Sequence, residues 1–220
     1  MPVGDTQYYE TPSYDFQVGA GRNFSKSLGV MLQFDYDHFG LQSATLANQS
    51  YIYNYGCSAG SVSAGSCGVT GLDGSNHVWS VTLNPTFTLA TEGSLGAYAV
   101  VGGGYYHKVT DFTEPGVGTY CDPYGYYGCY QYNSNQVIDH YTSNAGGVNG
   151  GLGLTYRVSK FSNERFYLEA RYVVVFNQQR VGLTAQNVGT SFGASYTGTN
   201  FYPANSDRTT YVPITIGLRF

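Results

Sequence analysis

Four histidines, His38, His77, His107 and His140, and six charged residues, Asp35, Asp37, Arg157, Glu169, Arg171 and Arg219, are the side chains best suited to chemistry. Imidazole is a common metal ligand and a proton carrier near neutral pH. No H-x-x-x-H spacing is present, and no His lies close enough to a cysteine pair to suggest a zinc site. His38, His77 and His107 fall near matching ends of consecutive alternating segments. That placement suits an interfacial aromatic band, with a metal or catalytic site at the same rim as the alternatives. The six charges are three carboxylates and three guanidiniums, all on one parity of their segments. Balanced charges of this kind suit an internal salt-bridge network, because a buried charge must be paired. A narrow pore lined by the same side chains is the other reading. Neither pattern implies an enzyme, a bound metal or a cofactor.

Two further clusters are chemical in a different sense. Cys57 and Cys67 lie in a Ser/Gly/Ala stretch, and Cys121 and Cys129 bracket Asp-Pro-Tyr-Gly-Tyr-Tyr-Gly. Three pairings are possible. Two short bridges, Cys57–Cys67 and Cys121–Cys129, are favoured because each pair sits in its own turn-rich segment. Bridges imply an oxidising compartment. The second pair is set among Tyr120, Tyr124, Tyr126, Tyr127, Tyr130 and Tyr132. Tyrosine offers contact area at low entropic cost, so this stretch reads as an interaction loop or as a cap on the fold.

The elements that position these residues are strands. A strand turns successive side chains to opposite faces. In the last ten residues Val212, Ile214, Ile216, Leu218 and Phe220 share one face, opposite Tyr211, Pro213, Thr215, Gly217 and Arg219. Residues 13–22, 28–40, 74–90, 144–158 and 166–180 alternate in the same way. Residues 96–109 also read as a strand, but Gly102-Gly103-Gly104 leaves its facing open. Short turns follow the first, third and fifth of these seven segments. Long loops near 41–73, 110–143 and 181–209 follow the second, fourth and sixth. Large apolar residues occupy one face throughout, and carboxylates, amides, hydroxyls and glycine the other. Aromatics with outward parity gather at two levels. Tyr36, Phe39, Trp79 and one of Tyr105 or Tyr106 mark one; Tyr156, Phe161, Phe166 and Phe220 mark the other. Alternating strands of nine or more residues, alternating loop lengths and two aromatic girdles are the signature of an antiparallel up-and-down membrane-type β-barrel.

Composition agrees. Of 220 residues only 11% are charged, against about 25% in an ordinary soluble domain. Tyr contributes 23 residues and Gly 30, and the net charge is −4. No run approaches the roughly 18 apolar residues of a spanning helix. No basic patch points to nucleic acid.

Gly19-Ala-Gly-Arg-Asn-Phe-Ser-Lys-Ser-Leu-Gly-Val30, Leu168-Glu-Ala-Arg-Tyr172 and Ile214-Thr-Ile-Gly-Leu-Arg-Phe220 resemble the small outer-membrane β-barrel domain family, which includes the OmpA transmembrane domain and OmpX. The resemblance covers most of residues 13–220. It implies an eight-stranded barrel in a bacterial outer membrane, with lipid as one partner. It also implies assembly through the C-terminal strand by the barrel-assembly machinery. It implies no particular activity, since the family holds anchors, adhesins and narrow pores.

Only seven strands are identifiable, and bacterial barrels have an even number. Residues 1–12 alternate poorly and carry two prolines. Three explanations stand open. The first strand lies in sequence outside this numbering, where an export signal would also lie. Or residues 1–10 supply a weak one. Or the edge is completed by a strand from another chain, identical or not, which repeated head to tail would build an extracellular filament. The expected role is therefore structural or adhesive at the cell surface, with a filament subunit and a small-solute pore as the competing readings.

Overall fold

The computed structural model describes residues 1–47, 49–50, 71–124, 128–157, 164–178 and 208–219. Their strands form one antiparallel sheet, and residues 43–47 and 49–50 are helical. Its strands are β1 (Glu10–Asn23), β2 (Leu28–Leu41), β3 (Asp73–Glu92), β4 (Leu95–Cys121), β5 (Cys129–Arg157), β6 (Arg165–Val175), β7 (Thr209–Tyr211) and β8 (Ile214–Arg219). Each of β1 to β5 pairs with its successor, and both β7 and β8 pair with β6. Val173 faces Tyr211 and Ala170 faces Ile214, three steps on along each strand. No residue is inserted between them, so β7 and β8 are one course interrupted at Val212–Pro213. Arg171 N donates to Pro213 O at 3.2 Å. Proline cannot return the second bond of that pair, which accounts for the break.

The strands exist because the two parities differ in what they can bury. Gln33, Asp37, Ser80, Thr82, Asn84, Asn149, Glu169 and Arg171 are buried on one face. Phe16, Leu83, Leu152, Leu168 and Ile216 are exposed on the other. Tight turns end the strands where expected. Between β1 and β2, Ser25 Oγ accepts from the backbone N–H groups of Ser27 and Leu28. Between β3 and β4 the two-residue turn is Gly93-Ser94, and Gly93 has φ +59°. Glycine at the first central position is what a hairpin turn of this kind requires.

The sheet curls. Tyr211 OH on β7 donates to Asp37 Oδ2 on β2 at 2.7 Å, and Tyr98 OH on β4 donates to Glu169 Oε2 on β6 at 2.6 Å. Thr215 Oγ1 on β8 donates to Asp15 Oδ2 on β1 at 2.9 Å. These strands are not sheet neighbours, so the polar face is concave. Between β1 and β8 the described residues make side-chain contacts and no ladder.

Several expectations need correction. The long loop expected near 110–143 is mostly strand: β4 and β5 run on as a paired ribbon to Cys121 and Cys129, with one register shift at Phe112–Thr113. Most of the ribbon beyond that shift leaves both faces open to solvent, so it carries no apolar alternation for the sequence to reveal. The strand read from residue 13 begins at Glu10. Residues 1–12 divide into Met1–Val3, which pair with Thr210–Val212, a short 3-10 helix Gly4–Tyr8, and the start of β1. Phe39, read as an outward aromatic, is 3% exposed and packs edge-on against Tyr211 on the concave face. Its odd parity in β2 is that of Asp35 and Asp37. Phe161 and Phe220 lie outside the described residues.

Candidate functional site

The concave face holds a polar interior in three clusters. Near the tight-turn end, Glu169 on β6 is the hub. It is 2% exposed, accepts from Tyr98 OH and Arg171 Nε, and has Arg219 Nη2 at 3.9 Å. The Arg219 guanidinium also stacks over Tyr98 at 4.5 Å and Tyr167 at 5.2 Å. One carboxylate therefore serves two guanidiniums. Arg157 lies at the same end, opposite Arg165, and has no salt bridge among the described residues.

In the middle, Asn84 Nδ2 donates to Gln33 Oε1 and Thr82 Oγ1, and Asn149 Nδ2 donates to Asn84 Oδ1 at 3.0 Å. Ser80 Oγ donates to Asp35 Oδ2 at 3.3 Å. Asp35 and Asp37 thus take hydroxyl donors rather than the ion pairs expected for them. Of the six charges, Glu169, Arg171 and Arg219 meet one another, and the two aspartates meet Ser80 and Tyr211.

The third cluster was not foreseen. Lys108 Nζ on β4 lies 2.9 Å from Glu10 Oε1, with both side chains buried, and donates to Thr209 Oγ1 at 2.9 Å. Asn76 Nδ2 donates to the same Glu10 oxygen at 2.7 Å. Lys108 has the parity of Tyr98, Val100 and Tyr106, all buried, which settles the facing of β4. Glu10 sat in a segment with no alternation to read. Beyond this cluster Leu41 and Phe112 pack with Tyr9, Leu46, Leu72 and Ile138.

Glycines seat the inward tyrosines. Tyr98 lies opposite Gly153, and Tyr167 opposite Gly217. A Cβ on Gly153 would stand 2.2 Å from the Tyr98 ring, and one on Gly217 would stand 2.6 Å from Tyr167. Gly153→Val should therefore expel Tyr98 from Glu169 and cost about 3 kcal/mol, at the upper end of ordinary overpacking. The urea midpoint of the refolded protein measures this; Gly146→Val, where no atom lies within 4 Å, is the control.

The rim is aromatic on its convex face. Tyr14 stacks on His38 with centroids 4.9 Å apart, His38 meets His77 at 4.7 Å, and Trp79 meets His107 at 4.8 Å. His77 Nδ1 bonds Tyr36 OH at 2.7 Å, and His107 Nδ1 bonds Asn144 Oδ1 at 2.5 Å. His140 instead pairs with Asp111 at 2.5 Å. The band crosses β1 to β4, with Asn144 of β5 opposite His107. Among the described residues no group of three or more His, Cys, Asp or Glu is placed to hold a metal ion.

At the tip of the ribbon Cys121 and Cys129 form a disulfide between register partners. Tyr120 packs on Tyr130 at 5.4 Å, and Tyr124, Tyr130 and Tyr132 are exposed. Tyr126, Tyr127, Cys57 and Cys67 lie outside the described residues. No family model, curated protein or solved structure matches the chain. The functional reading therefore rests on the chain's own chemistry: a polar, internally paired interior, an apolar exterior banded by aromatics, and an exposed tyrosine ribbon closed by a disulfide.

Proposed function

We propose that the chain is an outer-membrane β-barrel domain of the OmpA and OmpX type. Its role would be structural or adhesive, exercised through the tyrosine ribbon at the cell surface. One observation carries this reading: burial is inverted. Amides, hydroxyls and paired charges are buried, while Ile216 is 75% and Leu152 64% exposed, with similar residues on every long strand. Water-soluble domains bury such residues and rarely expose a contiguous apolar face of this extent. In a bilayer the same distribution is the favourable one, with lipid outside and polar side chains within. The aromatic rim of Tyr14, Tyr36 and Trp79 would then lie at the headgroup level.

The closing strand, with Val212, Ile214, Ile216 and Leu218 on its lipid side, would be the segment handled by the assembly machinery. The test is extraction. Protein in cell envelopes should resist carbonate and high salt and be released only by detergent. Release into the medium as fibres without detergent would favour the second reading, a filament subunit, which the unladdered β1–β8 edges support. Steady conductance in planar bilayers would favour a pore; the paired interior argues for a closed one.

A further inference from the structure

The two faces of the tyrosine ribbon differ in chemistry. Register partners in an antiparallel ladder share a face. Val117, Thr119 and Val137 therefore lie on one side, with the Cys121–Cys129 bridge. Glu114, Gly116, Gly118 and Tyr120 of β4 lie on the other, opposite Gln136, Ser134, Tyr132 and Tyr130 of β5. This second face carries three tyrosines, two glycines and polar side chains, and no aliphatic residue.

Its geometry is a platform beside a notch. A Cβ on Gly118 would stand 2.7 Å from Tyr132 Oη and 2.8 Å from Cε1. The Tyr132 ring thus lies across the glycine, with one side against the backbone. The residue is 50% exposed, so the other side of the ring is open to water. Two residues back along β5, about 7 Å away, Tyr130 leans on Tyr120 with centroids 5.4 Å and planes 47° apart. That pair raises a corner at one end of the platform. At the other end Gly116 leaves a gap. A Cβ there would meet Ser134 O at 3.4 Å, and Ser134 Oγ and Gln136 Nε2 at 3.5 Å. A hydroxyl and an amide therefore border a space that the glycine leaves unfilled.

These features select a class of ligand. The negative face of a phenol ring attracts weakly positive C–H groups, and one face of a pyranose presents several of them. Ser134 and Gln136 both donate and accept, as sugar hydroxyls do. Residues 113–137 contain Glu114 and Asp122 but no lysine, arginine or histidine, so anionic ligands gain no partner there. An apolar helix would find no aliphatic side chain on this face to pack against. The disulfide fixes the tip from the opposite face, which preorganises the platform without covering it. We infer that this face of the ribbon binds a neutral saccharide, with one pyranose ring stacked on Tyr132 and its hydroxyls directed to Ser134 and Gln136 over Gly116. The inference rests on the reading of the ribbon as the adhesive element and names its ligand class.

The experiment uses the full chain refolded in detergent micelles. It is applied to an array of neutral oligosaccharides of glucose, galactose, mannose and N-acetylhexosamines, with sulfated and sialylated counterparts. Binding should be confined to neutral members, and the Kd of the best of them is then measured by calorimetry. Tyr132→Ala should weaken it about tenfold or more, as loss of an anchoring tyrosine does. Gly116→Val, which fills the notch, should do the same, while Val117→Ser on the opposite face should bind like the parent. A gel shift between unheated and boiled samples shows that each variant is folded. No binding by the folded parent, a preference for the anionic members, or unchanged affinity in both Tyr132→Ala and Gly116→Val would overturn the inference. Cells displaying the protein that adhere to protein-coated surfaces but not to the neutral saccharides would also overturn it, and would leave the adhesive role standing. Saccharide binding by a protein that leaves the envelope without detergent would uphold the inference and count against the membrane reading alone.

Discussion

Replacing Glu169 with Gln should destabilise the folded chain by about 3–5 kcal/mol, the usual cost of breaking a buried ion pair by removing one partner. The Glu169 and Arg171 side chains are 1% and 5% exposed and meet through Oε1 and Nε. Glu169 Oε2 also takes the Tyr98 hydroxyl and faces Arg219. Glutamine keeps the size and one acceptor but leaves two guanidiniums in the interior without a carboxylate. The loss should appear as a lower urea midpoint at unchanged slope, measured on protein refolded in detergent micelles. The double variant Glu169→Gln/Arg171→Met should recover much of it, because it removes the orphaned charge as well. If single and double variants unfold together, the two residues are not coupled, and the interior is not organised around Glu169.

The second large effect is on the convex face. Leu152 lies near the middle of the paired β5 segment, between Ala99 and Ala170, and its side chain contributes little to any packed core. On a water-soluble sheet Leu152→Arg would be nearly neutral or would improve solubility. In a bilayer an arginine at mid-depth costs about 2–4 kcal/mol. Leu152→Arg should therefore cut the yield of folded protein in lipid vesicles severely while Leu152→Ala folds well. A gel shift between folded and boiled samples reads the fraction folded. Leu152→Arg folding as well as the parent in vesicles would contradict the assignment of that face to lipid.

Both predictions depend on parity, and parity was what the sequence displayed best. Strands β2, β3, β5, β6 and β8 are visible because each sets large apolar residues against polar ones, and their inward residues Asp35, Asp37, Glu169, Arg171 and Arg219 lie on the concave face. Three things were hidden for physical reasons. In β4 the triplet Gly102-Gly103-Gly104 removes the side chains that would show facing, so buried Lys108 could not be assigned. The ribbon beyond Phe112 is held by backbone ladders and the Cys121–Cys129 bridge, and a strand wet on both faces has no hydrophobic period. The Glu10–Lys108 pair joins residues 98 positions apart, a distance no local pattern encodes. Partner choice inside the network was equally invisible. Parity placed Asp37 inward, but only the curl of the sheet brings Tyr211 to it.

Lipid should cover the convex face of the curled sheet. Spin labels placed one at a time at residues 166 to 172 of β6, in protein refolded into vesicles, test it most directly. Collision rates with oxygen and with a water-soluble nickel chelate should alternate with period two. Labels at Phe166, Leu168, Ala170 and Tyr172 should favour oxygen, and those at Tyr167, Glu169 and Arg171 should be shielded from it. Access of the chelate to Leu168 and Tyr172 equal to that of a label in free solution would contradict the account.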